Sequence, residues 1–411
     1  MTAGMLIVGA GECGGRAALT LRERGYDGPV TLVGDEPYLP YERPPLSKDA
    51  MVSEAEPTPK LVADREHFAG RRIACVTGTS ATTIDRAARR VTLADGRALP
   101  YDKLLLATGA RPRKLPLPGA DGTRCAYLRT HDDAMRIRGA LWAGSHIAIL
   151  GGGFIGLEIA ASARKRAASV TVIEALPRIL TRGVPEAIAQ IVDARHRREG
   201  VTLACGKAVL ALHETASGIE IALADGSAVT ADLLIIGIGA VPVTKLAQDA
   251  GLTVENGIAV DAQLRTSDPV IYAAGDCCSF PLAVYGGRRV RLECWRNALD
   301  QGGLAARNML GAGESASAVP WFWSEQYDLT LQIAGLPNEG TQAVRRDLPE
   351  DAFILFHLAG DGRLVAASGI ARGNAVAKDI RLAEMLIAKG AKPDPAALAQ
   401  PEVKLKSLLV A

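Results

Sequence analysis

A chain of 411 residues, 48% hydrophobic and 22% charged, has room for roughly two to four globular domains, and its net charge of +2 excludes the strong basic bias of a nucleic-acid binder. Its 7 cysteines are odd in number and contain no CxxC pair, which argues against a disulfide framework or a zinc site and suits a reducing cytoplasm. No basic leader precedes the first apolar stretch and no apolar run approaches the ~18 residues of a membrane span, so a cytoplasmic chain is expected.

Strand-like and helix-like stretches alternate from the start, the pattern of an α/β fold. Met5–Val8 predicts a short buried strand, Glu12–Glu23 a helix and Val30–Val33 a second strand. Residues 36–45, rich in proline and tyrosine, are expected to be irregular. Residues 91–93 and 98–99 flank Asp95-Gly96 as a hairpin, and residues 104–107 form another buried strand. The pattern then repeats: strand His146–Leu150, helix Phe154–Lys165, strand 170–173, a hairpin from Ile219–Leu223 to 228–229 around Asp225-Gly226, and buried strand Leu233–Ile236. A strand over 271–274 runs into Gly275-Asp276, and Trp295 stands at the start of a helix over 296–310. From Trp321 the character becomes β-rich (331–333, 352–357, 364–370), followed by a helix over 376–388. Two Rossmann-like dinucleotide-binding units and a C-terminal α+β domain are therefore expected.

Each unit carries a glycine fingerprint between a strand and a helix, the context that gives the motif meaning. In Gly9-Ala10-Gly11-Glu12-Cys13-Gly14, Gly9 makes the tight turn, Gly11 lets a pyrophosphate approach the backbone, and Gly14 lets helix and strand pack closely. The helix N-terminus favours the phosphate charge. Asp35, or alternatively Glu36, lies just after the second strand, where a carboxylate can bind the adenosine ribose. The second fingerprint has glycines at 151, 153 and 156, and Glu174 ends the strand that follows. That carboxylate would repel a 2′-phosphate and favours NADH over NADPH, with Arg178 and Arg182 nearby as a counter-signal. Two dinucleotide sites in one chain imply FAD plus NAD(P)H.

Further segments occur in a fixed order: Pro40-Tyr41-Glu42-Arg43-Pro44-Pro45-Leu46-Ser47-Lys48, Leu106-Ala107-Thr108-Gly109, Tyr127-Leu128-Arg129-Thr130, Gly156-Leu157-Glu158, Gly275-Asp276-Cys277 and Trp321-Phe322-Trp323-Ser324-Glu325-Gln326-Tyr327. With them the whole chain resembles the FAD-dependent, NADH-linked ferredoxin reductases of bacterial oxygenase systems. The resemblance implies a glutathione-reductase-like fold: an FAD domain from residues 1–112 and 241–320, an inserted NADH domain at 113–240, and a C-terminal domain at 321–411. It implies FAD contacts at Cys13, Asp35, Lys48, Ala81, Arg129, Asp276 and Trp295, with Arg43 near the pyrophosphate and Thr108-Gly109 in the same pocket. The pyridine-nucleotide set would be Gly151, Gly153, Ile155, Gly156, Glu158, Glu174, Arg182 and Gly239. Lys48 is expected to place its charge near the flavin, paired with Glu158, and Trp323 to pack beside the flavin ring. These three form the expected catalytic group.

Individual side chains support chemical readings of their own. Asp276, at a strand end, can accept from ribityl hydroxyls or cap a helix. The Trp295 helix, aimed at the flavin pyrimidine, would stabilise negative charge there. Ser47 reads as an N-cap for a helix beginning near Lys48, which makes Lys48 a solvated helix-start lysine in the plainer reading. Glu158 reads alternatively as a surface helix residue, and Trp323 as a core tryptophan. Glu12 puts a carboxylate beside an anionic pyrophosphate, either pointing outward or weakening FAD. The vicinal Cys277-Cys278 reads as a pair of buried free thiols.

The implied reaction passes a hydride from NADH to FAD and single electrons to a two-iron ferredoxin serving a cytochrome P450 or Rieske-type oxygenase. The acidic ferredoxin would meet arginines, with Arg71, Arg72, Arg288, Arg289, Arg291 and Arg296 as candidates. No nucleic acid, membrane or metal is expected, and the chain would be a monomer or homodimer. A thiol-dependent reductase is disfavoured because Pro44-Pro45-Leu46-Ser47 holds no cysteine and the first helix no CxxxxC. A signalling flavoprotein resembling apoptosis-inducing factor is disfavoured by the near-neutral charge and the lack of basic tails.

Overall fold

The structure is a computed structural model and describes residues 2–409. Residue 1 and residues 410–411, the outer ends of the first and last expected segments, lie outside the described residues. The chain forms two compact units, each assembled from separated stretches: the first runs to Arg43 and adds Pro59–Arg111 and Val241–Ala318, and the second comprises Pro44–Thr58, Pro112–Ala240 and the chain from Val319.

In the first unit the apolar run Met5–Val8 is buried on both faces, as a central parallel strand requires. It lies between Val30–Val33 and Lys103–Leu106; Ile73–Val76 and Ile271–Ala273 form the edges, all parallel. Helix Glu12–Glu23 follows the first strand, and helix Trp295–Met309 packs on it so closely that a Cβ at Gly302 would collide with Cys13 O. The hairpin around Asp95-Gly96 is present as Arg90–Leu93 and Ala98–Pro100, turning at Gly96 with φ +86°, and gains a third strand, Ala81–Asp85.

The second unit repeats the design. His146–Leu150 is flanked by Ser169–Glu174 and Leu233–Ile236, with Val201–Cys205 and Cys125–Ala126 outside them. Helix Phe154–Lys165 opens at Gly153, and Val209–Glu214, Ile219–Leu223 and Ala228–Ala231 form the antiparallel appendage. Helices His131–Ala140 and Glu186–Arg198 are additions that the apolar periodicity did not single out. From Trp321 the chain builds a five-stranded antiparallel sheet in the order Trp321–Gln326, Leu329–Gly335, Leu364–Arg372, Phe353–Leu358, Gln342–Asp347. Helix Ala377–Ala388 lies on it, close enough that a Cβ at Gly369 would sit 3.2 Å from Val376 and Ile380 atoms.

Residues 36–45 are irregular up to Arg43, but Pro44–Ser47 closes into a single 3-10 turn. Proline fixes φ at a value that such a turn accepts. Mixed sheets with helices over the parallel ones make the fold α/β, with two Rossmann-like units and a C-terminal α+β segment. Among the described residues no helix is long and apolar enough to cross a membrane.

Candidate functional site

The first glycine cradle is set by sterics. Gly9 has φ +114°, and a Cβ there would collide with Ala107 O; one at Gly14 would collide with Gly9 O. At Gly11, the N-cap of helix Glu12–Glu23, a Cβ would meet nothing within 4 Å, so the backbone faces open space. Two glycines thus hold the turn shut and the third leaves room, which is the geometry a pyrophosphate needs at a helix N-terminus.

Side chains of the first unit converge on this cradle. Asp35 is exposed just past Val30–Val33, and Gly78 N and Thr79 N donate to Glu36 O (2.9 Å) and Gly34 O (3.1 Å), bringing the segment that enters Ala81 alongside. Glu36 is already engaged: it accepts from Tyr41 OH at 2.5 Å and Arg43 Nη2 at 2.7 Å. Asp35 Oδ1 accepts from Glu36 N at 3.1 Å, and its side chain is exposed. Burial works against the Arg43 charge, but Tyr41, Glu36 and Asp276 outweigh it and keep the guanidinium cationic. Asp276 sits in the turn Gly275–Cys277, where Gly275 has φ +80° and lies against Cys13. Thr108 Oγ1 donates to Val243 O at 2.6 Å, and Gly109 O accepts from Val243 N.

Glu12 does not point outward. Burial and the neighbouring Glu42 push its carboxyl above the usual range, while Trp295, Arg16 and Lys60 pull it back.

The second cradle reproduces the first. Gly151 has φ +112° and its Cβ would collide with Gly237 O; a Cβ at Gly156 would collide with Gly151 O; Gly153, the helix N-cap, is open. Glu174 Oε2 accepts from Gly152 N at 2.7 Å and Oε1 from Leu176 N at 2.8 Å, so this carboxylate also props the glycine loop. Arg178 is turned away, donating to the carbonyls of Ile179, Leu180 and Val184 at 3.0–3.1 Å. It is not free to bind a 2′-phosphate. Arg182 and Ile155 are exposed, and Gly239 has φ +104° with its carbonyl bound to Arg113 N.

Glu158 stands on the helix that opens at this second cradle and is 6% exposed. Three donors surround it: Lys48 Nζ (2.7 Å) and Ser47 Oγ (2.5 Å) on Oε2, and Ser324 Oγ (2.6 Å) on Oε1. The expected Lys48–Glu158 pair is thus formed, and Glu158 is no surface residue. Ser47 does not cap; Lys48 is the N-cap of the short helix Asp49–Val52, and Ser47 spends its hydroxyl on Glu158. Ser47, Ser324 and Arg138 were not foreseen as partners. Arg138 gathers the carbonyls at the end of that short helix, including Met51 O at 3.2 Å and Ser53 O at 2.7 Å. Alternation along Trp321–Gln326 was the signal for Ser324. Phe322 and Ser324 face the Glu158 helix, Phe322 packing on Phe154 at 4.3 Å, while Trp321 and Trp323 stack on the other face at 5.3 Å. Arg129, also in the second unit, precedes helix His131–Ala140, its N–H donating to Asp133 Oδ2.

The cysteines are all free. Burial pushes the Cys13, Cys277 and Cys278 thiols up, which keeps them protonated and unreactive. Of the candidate docking arginines, Arg72, Arg289, Arg291 and Arg296 are already paired with Asp27, Glu255, Glu293 and Asp300. Among the described residues no cluster suits a metal ion.

Two parallel sheets, each ending in a glycine cradle with an acidic residue at the next strand end, define an oxidoreductase that joins a flavin dinucleotide to a pyridine dinucleotide. Residues 4–302 match the family model described as pyridine nucleotide-disulphide oxidoreductase, and residues 321–409 match the reductase C-terminal model. The ferredoxin–NAD(+) reductase component of the anthranilate 1,2-dioxygenase system of Burkholderia cepacia is 44% identical, with 98% of each chain covered. Putidaredoxin reductase CamA of Pseudomonas putida is 37% identical over 99% of this chain and 97% of its own. The crystal structure of the covalent putidaredoxin reductase–putidaredoxin complex superimposes with a TM-score of 0.94 at 34% identity, covering 100% of this chain and 98% of that one. The chain belongs to the pyridine nucleotide-disulphide oxidoreductases, among the FAD-dependent ferredoxin reductases of bacterial oxygenase systems. Its cofactors are FAD and NAD(H).

Proposed function

We propose that this chain is a cytoplasmic NADH-dependent reductase that sends electrons through FAD to a two-iron ferredoxin, which in turn serves a cytochrome P450 or a Rieske-type oxygenase. The observation that carries the reading is the duplication of the cradle: Gly9, Gly11 and Gly14 are matched in role by Gly151, Gly153 and Gly156. One cradle suits the FAD pyrophosphate and the other that of NADH. Bound FAD supplies the conversion between a two-electron hydride donor and a one-electron acceptor.

The chain's own residues bind and orient. Asp35 accepts from the adenosine ribose of FAD, Arg43 offsets pyrophosphate charge, and Asp276 accepts from ribityl hydroxyls, with Cys13, Ala81, Thr108, Gly109 and Trp295 lining the same pocket. Lys48 and Arg129 carry positive charge within the second unit. Glu174 takes the ribose hydroxyls of NADH and repels a 2′-phosphate, and Ile155, Arg182 and Gly239 border that pocket. Glu158 holds Lys48 at a fixed place on the nicotinamide side, and Trp323 offers a flat apolar face. No side chain has to act as a general acid or base.

The test is steady-state reduction of cytochrome c by NADH, with the yellow, FAD-loaded chain and two-iron ferredoxins from the source organism. Ferredoxin-dependent turnover is expected. A folded preparation that retains no flavin, or negligible turnover with every ferredoxin, would overturn the proposal.

A further inference from the structure

Glu158 is the end point of a buried chain of polar groups, and the direction of every hydrogen bond in it can be deduced. As an anion Glu158 only accepts. Ser324 Oγ, 2.6 Å from Oε1, therefore points its single hydroxyl proton at the carboxylate. Ser324 Oγ can then only accept from its other neighbour, the side-chain amide of Gln326, at 3.2 Å from Nε2. That fixes the amide: its nitrogen faces Ser324 and its oxygen faces His196 Nε2 at 2.8 Å. His196 must in turn carry its proton on Nε2, leaving Nδ1 bare to accept from Tyr327 OH at 3.3 Å. Burial lowers the His196 pKa, which keeps the imidazole neutral, and raises that of Tyr327, which keeps its hydroxyl a donor. On the far side of Glu158, Ser162 Oγ donates to Ser47 O at 2.8 Å and steadies the second hydroxyl donor.

Ser324, Gln326 and His196 are all buried. Three polar side chains in an apolar interior are costly unless each is satisfied, and here each is satisfied in one orientation only. All of these residues belong to the second unit.

We propose that Gln326 and His196 are positioning residues for the Glu158–Lys48 pair. The relay from His196 through Gln326 aims the Ser324 hydroxyl at Glu158, and so sets the orientation of the carboxylate that anchors the Lys48 ammonium. The inference rests on the reading that Glu158 and Lys48 serve the pyridine-nucleotide side.

Two measurements test it. The first is 15N NMR of the full, FAD-loaded chain labelled at histidine, with the His196 signal assigned from its absence in His196→Gln. A neutral imidazole protonated at Nε2 is expected; the Nδ1-protonated tautomer overturns the relay, whatever the variants do. The second is anaerobic stopped-flow bleaching of the flavin by NADH. His196→Leu removes the donor to Gln326 and is expected to slow bleaching about tenfold, the upper end of the effect of one lost neutral hydrogen bond. His196→Gln, which can present an N–H near the position of Nε2, should recover most of the rate. Adding His196→Leu to Ser324→Ala should slow the reaction no further than Ser324→Ala alone, because both act through one hydroxyl. A wild-type rate in His196→Leu, or additive losses in the double variant, overturns the proposal. Glu158→Gln separates the two levels. If it slows bleaching while His196→Leu does not, the positioning role fails; if it has no effect, the underlying reading of Glu158 fails.

Discussion

Lys48 Nζ and Glu158 Oε2 stand 2.7 Å apart across 110 residues of chain. With two serine hydroxyls on the same carboxylate, the charge of Glu158 is fully matched inside a mostly apolar interior. A buried ion pair is seldom worth more to stability than well-packed apolar residues would be, so its presence is best explained by what it positions.

Breaking the pair from one side has a definite cost. Lys48→Met leaves Glu158 buried with hydroxyl donors alone, and a loss of about 2–3 kcal/mol in unfolding free energy is expected. Urea denaturation of the flavin-loaded protein measures it. A loss below about 0.5 kcal/mol would mean that the serines suffice and that Lys48 is not held by need of charge.

Glu174 both faces the nucleotide loop and props it through Gly152 N. Glu174→Arg is therefore expected to raise the NADPH-to-NADH ratio of kcat/KM while lowering activity with both coenzymes, since the loop amide loses its acceptor. Because Arg178 is bound to three carbonyls, the wild-type chain should discriminate against NADPH. Steady-state kinetics with both coenzymes decides it, and an unchanged ratio refutes the role of Glu174.

Arg346 is 2% exposed and donates to the carbonyls of Ala397, Leu398, Gln400 and Val403. It clamps the last segment onto the C-terminal sheet. Arg346→Leu should cost about 2–4 kcal/mol through four orphaned carbonyls, and amide exchange over residues 395–409 should quicken first. Exchange that stays uniform across the second unit would contradict the clamp.

His357 supplies a pH dependence of stability. Burial lowers its pKa from 6.5 to about 4, so the folded state holds the neutral ring and the unfolded state binds the proton more readily. The stabilising effect is complete above about pH 6.5 and is lost as pH falls toward 4, at most about 3 kcal/mol. Urea midpoints should therefore drop between pH 7.5 and pH 5, and His357→Gln should flatten the slope over that interval. An unchanged slope in that variant would assign the acid sensitivity elsewhere.

Much of the scaffold was legible along the chain. Met5–Val8, Glu12–Glu23, His146–Leu150 and Phe154–Lys165 have the bounds expected of them, because an apolar run ending in glycine is both a buried strand and its stop signal. Helix Glu186–Arg198 was not, since its buried stripe is thin and counts His196 among its members. Ser47 shows the same limit in one residue: its position beside a helix suggests a cap, yet its hydroxyl donates to a carboxylate 111 residues away.

By itself the sequence determined the turns and periodicities: where glycine must take a positive φ, where a helix N-terminus can meet a phosphate, and which faces are apolar. These are properties of residues close together in the chain. Tertiary packing decided the partners: Glu36 for Arg43, carbonyls for Arg178, Ser324 for Glu158 and Gln326 for His196. A hydrogen bond forms only where donor and acceptor arrive within about 3 Å in the right orientation, and for groups distant in the chain only the folded core fixes that meeting.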